Sequence, residues 1–183
     1  MPLVILTVMT QVNAAHLSES MDGLVTGVSA TYSLSMIAIF AAMATMVNQE
    51  GELLKGYNFA GSAIFAAAVA GAGIGFLRYN VYPARIEPGS TGSLAFGGAV
   101  AMMGILSRSL IILPLMSACL LVSLGSVLLQ SFGSAREGGK KLFRAVPLHR
   151  HFEAKGHPAS QIATMYTIVT ALICAVCLLP YFR

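Results

Sequence analysis

The chain has no tryptophan, a single aspartate (Asp22) and only 10% charged residues among its 183. A soluble domain of this size carries about 25% charged residues. That shortage excludes a globular enzyme held by an anchor and indicates a polytopic membrane protein. Without tryptophan, any aromatic belt at the membrane interface must use tyrosines such as Tyr57, Tyr79, Tyr82 and Tyr181. Cysteine is scarce as well, and Cys119, Cys174 and Cys177 all lie in apolar runs. The CxxC spacing of Cys174 and Cys177 has no strand or redox-fold context, so these residues read as small helix positions. A basic region ahead of the first apolar run is also missing, so this stretch does not read as a secretory signal.

What is present is mostly apolar. Hydrophobic residues make up 56% of the chain and mean hydropathy is +0.77. The length holds about five or six spans of ~20 residues. Residues 2–12 are apolar but reach only about half a bilayer, and read as the tail of a longer helix. Residues 24–47 are long enough to span, and the polar stretch 48–52 with Gly51 ends them. Residues 57–77 form a second span rich in Ala and Gly. Within it, Ala70-Gly-Ala-Gly-Ile-Gly75 lacks the preceding strand of a dinucleotide loop, so it predicts close helix packing through small residues. Residues 93–107 make a shorter apolar stretch, 110–130 a fourth full span kinked at Pro114, and 159–180 the last. The expected fold is all-α: a polytopic transmembrane helix bundle of about five spans plus a partial N-terminal helix, with residues 1–183 as one transmembrane domain.

The net charge of +4 describes topology, not nucleic-acid binding, because the basic residues flank the spans. Arg78 and Arg85 share one connection. Arg136, Lys140, Lys141, Arg144, Arg150 and Lys155 share another. If the helices alternate, these fall on one side, and only Lys55, Arg108 and Arg183 on the other. The positive-inside rule then puts residues 78–92 and 131–158 in the cytoplasm, and residues 48–56 and the C-terminus outside. Residues 13–23 also face the cytoplasm. Three polar segments distant in sequence thus meet at one membrane face.

Each segment carries chemistry. In the first, Glu19 and Asp22 are three residues apart, so a helical turn would put both carboxylates on one face. Paired carboxylates at a membrane mouth suit Mg²⁺, which prefers oxygen ligands shared with substrate phosphates. The plainer alternative is a helix start capped by Ser18 or Ser20. In the second, Gly89, Ser90, Thr91, Gly92 and Ser93 form either an anion-holding loop or a turn that caps a helix starting near Leu94. The third holds His149, Arg150, His151, Glu153, Lys155 and His157 between two apolar segments. Histidines at this spacing can shuttle protons, contact phosphate or bind metal. Zinc is disfavoured because no thiolate is near. As an isolated loop it would simply be basic and drawn to anionic lipid headgroups.

Taken in order, the three segments resemble the phospho-N-acetylmuramoyl-pentapeptide transferases, within the polyprenyl-phosphate N-acetylhexosamine-1-phosphate transferase superfamily. The first pattern stands here as His16-Leu-Ser-Glu-Ser-Met-Asp-Gly-Leu24. The second is Asn80-Val-Tyr-Pro-Ala-Arg-Ile-Glu-Pro-Gly-Ser-Thr-Gly-Ser-Leu-Ala95. The third is Pro147-Leu-His-Arg-His-Phe-Glu153, preceded by Gly139-Lys-Lys-Leu-Phe143. The resemblance implies transfer of phospho-MurNAc-pentapeptide from UDP to undecaprenyl phosphate, giving lipid I and UMP in the bacterial inner membrane. It implies Mg²⁺ as cofactor, Asp22, His149 and His151 as catalytic residues, and Glu19 and Asp22 as metal ligands. Asn80, Gly23 and Arg150 would bind substrate. Membrane lipids, and either an N-terminal half bearing an aspartate pair or a second copy of the chain, would be its partners, and nucleic acid would not.

The sequence departs from the family at its site. Ser90 stands for a metal-associated Asp, and Glu87 for a Phe that lies against uracil. Arg150 replaces the central His of a triple, His16 an Asn, and Glu19 an Asp. These departures weaken the expected Mg²⁺ site and support a second expectation, a non-catalytic membrane relative or fragment.

Overall fold

The computed structural model describes residues 2–109, 111–136 and 142–182, with 134–136 as backbone only. Helix is the only regular secondary structure among the described residues, and no strand occurs among them. The helices are α1 (Pro2–Leu17), α2 (Leu24–Gln49), α3 (Leu53–Asn80), α4 (Gly89–Leu106), α5 (Ile112–Met116), α6 (Ala118–Arg136), α7 (Leu148–Glu153) and α8 (Ala159–Leu178). A 3₁₀ turn at Leu179–Tyr181 follows α8. The segment Gly139–Phe143 falls partly outside the described residues, as do Lys140 and Lys141, and the side chain of Arg136 is not described.

In a bilayer every backbone polar group must be satisfied within the chain, and an apolar sequence meets that condition as helices. Four segments are long and apolar enough to cross a membrane: Leu24–Gln49, Leu53–Asn80, Gly89–Leu106 and Ala159–Tyr181. The protein is a multi-pass, all-α integral membrane bundle. The expected partial N-terminal helix is α1, a 16-residue apolar helix.

Residues 110–130 are not one span. They divide into α5 and α6 at Ser117, whose φ of −97° and ψ of 14° end α5. Pro114 sits inside the first turn of α5, where its missing N–H costs no helical hydrogen bond. The break is tied to α1. Ser117 Oγ lies 2.7 Å from Leu113 O and 2.9 Å from Gln11 Oε1, and both residues are buried.

The bundle core lies around α2. One cluster joins Tyr32, Met36, Ile39 and Phe40 of α2 to Phe59 and Ala66 of α3, Val100 and Met103 of α4, Met116 of α5 and Cys174 of α8. A second joins the end of α1 and the start of α2 to Leu120, Ile162 and Tyr166. Helix α1 approaches α4 closely. A Cβ on Gly97 would come within 2.9 Å of both Ala15 Cβ and Val12 Cα. The glycines of α3 behave differently from the expectation. Gly73 meets Ala30 of α2, while Gly61, Gly71 and Gly75 have open space where a Cβ would stand. The small-residue stretch packs on one side only and turns its other glycines outward.

Candidate functional site

Helix α1 stops at Leu17, and residues 18–23 form turns leading into α2. Glu19 and Asp22 therefore do not sit on one helical face. The capping alternative also fails, because α2 begins at Leu24 with Gly23 at its N-cap and no side-chain cap. Ser18 Oγ instead donates to Ala14 O at 2.9 Å. Gly23 has a left-handed backbone, φ 73°, which costs glycine little and other L residues more. Its N–H donates to Asn80 Oδ1 at 3.2 Å, and Thr26 Oγ1 donates to the same oxygen at 2.8 Å. Asn80 Nδ2 donates to Ile86 O at 3.1 Å. Asn80 is buried at the C-terminal end of α3. Its side chain fastens the turn before α2 to the connection after α3.

The two carboxylates turn in different directions. Asp22 Oδ2 accepts the N–H of Ala84 at 3.0 Å, while Oδ1 has no hydrogen-bond partner among the described residues. Asp22 and Gly23 line a cleft of about 220 Å³ between α2, α3 and α8, with Leu77, Val81, Thr164 and Ile168 in its walls. Glu19 turns toward α4. Its Oε2 accepts a short hydrogen bond from Ser93 Oγ and lies 3.1 Å from His16 Nδ1. Its Oε1 accepts from Ser90 Oγ at 3.4 Å. Helix α4 starts at Gly89, not near Leu94, so Ser90 lies in its first turn and Ser93 at the start of its second. Both hydroxyls face Glu19.

The third segment folds as α7 within what the sequence presents as a loop. Residues two apart on a helix point to opposite sides, so His149 and His151 separate. His149 is buried, and its Nε2 lies 3.2 Å from Ser20 Oγ, while Nδ1 has no partner among the described residues. Burial, with the Arg150 charge adding to it and Glu153 opposing, lowers the His149 pKa to about 4. The imidazole is neutral at pH 7. His151 is half-buried and accepts the Arg144 N–H at Nδ1, 3.2 Å away. Its pKa is also lowered, by desolvation and then by Lys155 and Arg144. Arg150 pairs with Glu153 at 2.9 Å and donates to Ser20 O at 3.3 Å.

Glu19, Asp22, Gly23, Asn80, His149 and Arg150 therefore meet at one end of the bundle, through direct hydrogen bonds between the three segments. Ser20, Ser93 and Thr26 complete the network. No spacing in the sequence marks them, because each acts across a long chain separation.

The donor set does not fit a Mg²⁺ centre made by this chain alone. Glu19 is engaged by Ser93, Ser90 and His16, and Asp22 by Ala84. Among the described residues no three His, Cys, Asp or Glu side chains come together as metal ligands.

The sequence is similar to known proteins over nearly its whole length. The phospho-N-acetylmuramoyl-pentapeptide-transferase of Acetivibrio thermocellus is 35% identical over 173 residues, covering 94% of this chain and 48% of that protein. The proteins of the same name from Heliobacterium modesticaldum and Salinibacter ruber are 39% and 38% identical over 170 and 187 residues. They cover 93% and 94% of this chain, and 48% and 46% of their own lengths. The chain thus spans about half the length of the curated relatives it matches. The model of the glycosyl transferase family 4 matches residues 1–108, the stretch that holds Glu19, Asp22, Gly23 and Asn80. With more than half of its residues matched in this way, the chain belongs to glycosyl transferase family 4.

Proposed function

We propose that this site serves transfer of phospho-MurNAc-pentapeptide from UDP to undecaprenyl phosphate, forming lipid I and UMP at the bacterial inner membrane. The observation that carries the proposal is the meeting of Asp22, Asn80 and His149 at one membrane end, beside a largely apolar cleft. The activity for which the relatives are named supports the same reading.

In the proposed reaction an acceptor phosphate oxygen attacks the sugar-bearing phosphorus, and the bond from that phosphorus to UMP breaks. Asp22, the acid at the cleft, takes any proton the acceptor phosphate still carries. Arg150 offers positive charge to the donor diphosphate from the α7 side. His149, neutral and buried, orients Ser20 and the turn that carries Asp22. His151, on the outer side of α7, meets the nucleotide.

A non-catalytic membrane relative is the second reading. Ser90, at the family's carboxylate position, presents a hydroxyl bonded to Glu19. Glu87, at the uracil-facing position, presents an exposed anion. Lipid I formation from labelled UDP-MurNAc-pentapeptide and undecaprenyl phosphate separates the two. Product that disappears with Asp22→Asn supports the transferase. Binding of undecaprenyl phosphate without product supports the non-catalytic relative.

A further inference from the structure

Lys55, Asn58, Phe59 and Ser62 follow at i, i+3, i+4 and i+7 on α3, which is one helix face. That face lies across from Ile105 and Leu106 of α4 and from Arg108 just beyond it. The space between is a cleft of about 340 Å³. It is at the far end of the bundle from Asp22. Nearly the whole of the 28-residue α3, roughly 37 Å, separates Lys55 from Asn80.

Two cations point into this space. The Arg108 guanidinium has no hydrogen-bonding or ionic partner among the described residues. Its backbone is left-handed at φ 54°, a rare conformation for a residue other than Gly, Asn or Asp. Lys55 is ion-paired with Glu52, which stands outside the cleft. The Asn58 amide keeps its donors free among the described residues. Ser62 Oγ gives its hydrogen to Asn58 O at 2.9 Å and can only accept. Phe59, Ile105 and Leu106 supply apolar walls.

We infer that the Lys55–Arg108 cleft is a headgroup site for an anionic phospholipid, in the leaflet opposite the candidate catalytic end. Guanidinium, ammonium and amide donors match a phosphodiester, and the apolar walls match the glycerol and acyl chain bound to it. Glu50 and Glu52 balance Lys55 and Arg108, and by the alternation of the helices Arg183 is the one basic residue left over at this end. Long-range attraction for dissolved anions is therefore small, and a phosphate delivered by the membrane is favoured. The inference is independent of the proposed transferase activity.

Native mass spectrometry of the full chain, released from micelles holding equal phosphatidylglycerol and phosphatidylcholine, tests it. The wild type retains phosphatidylglycerol preferentially. Lys55→Gln and Arg108→Gln each lower that retention about fivefold, the effect of one basic residue near a lipid phosphate. Arg108→Lys keeps most of it, and Arg85→Gln at the opposite end changes nothing. Glu52→Gln frees Lys55 and raises retention, a readout that loss of folding does not imitate. Equal retention of the two lipids, unchanged retention in Arg108→Gln and Glu52→Gln, or displacement by inorganic phosphate would each overturn the inference. The last would make it a site for soluble anions.

Discussion

Ser20 Oγ and His149 Nε2 lie 3.2 Å apart across 129 positions of sequence. This contact brings α7 onto the turn that carries Glu19 and Asp22. It also keeps His149 inside the protein, which makes that end of the bundle sensitive to acid.

The pKa of His149 falls from 6.5 to about 4 on burial. Between these values the unfolded chain binds a proton that the folded chain does not. Stability is therefore full above pH 6.5 and falls as pH drops toward 4, by up to ~3 kcal/mol. Thermal unfolding in detergent at about pH 7.5 and about pH 5 measures the effect. His149→Gln should flatten the difference. A variant as acid-sensitive as the wild type would show that other groups govern it.

Single-cysteine variants at Lys55 and Lys155, in a background without Cys119, Cys174 and Cys177, should label from opposite sides of the membrane. Lys155 follows α7 and Lys55 lies in the first turn of α3, so the positive-inside rule assigns Lys155 to the cytoplasm. Labelling of both from one side would sink this orientation.

The long apolar runs made the membrane bundle legible, because each span must hide its backbone and ends where charge begins. The convergence of three polar segments followed from the same alternation. The break at Ser117 was not legible, since it depends on a hydrogen bond to Gln11 on a distant helix. Nor was the parting of Glu19 from Asp22. Their spacing suits a helix, yet α1 ends two residues before Glu19. The outward glycines of α3 were missed because composition alone does not say which side of a helix has a neighbour.

Ser90→Asp should raise Mg²⁺ affinity, measured by isothermal titration in detergent. Ser90 Oγ is 3.4 Å from Glu19 Oε1, so the change sets a second carboxylate beside the first and creates an oxygen pair suited to the ion. Equal affinity before and after would remove position 90 from any metal site.

Lipid I formation by this chain alone, which spans about half the length of its relatives, should be slow, and Ser90→Asp with Glu87→Phe should raise it. Loss of one electrostatic contact at an active site costs about 10²–10³ in rate, and linked losses need not multiply. Robust Mg²⁺-dependent turnover by the wild type, abolished in Asp22→Asn, would reverse this expectation and leave the transferase reading intact.

Asp22 owes its direction to a neighbour that has no side chain. Gly23 holds φ 73° and gives its N–H to Asn80. Exchanging it for alanine adds only a methyl group but asks the turn to unwind. The acid would then lose its aim while remaining chemically unchanged. A survey of variants that tracked only charged and nucleophilic side chains would overlook position 23, although the orientation of the one aspartate in the protein rests there.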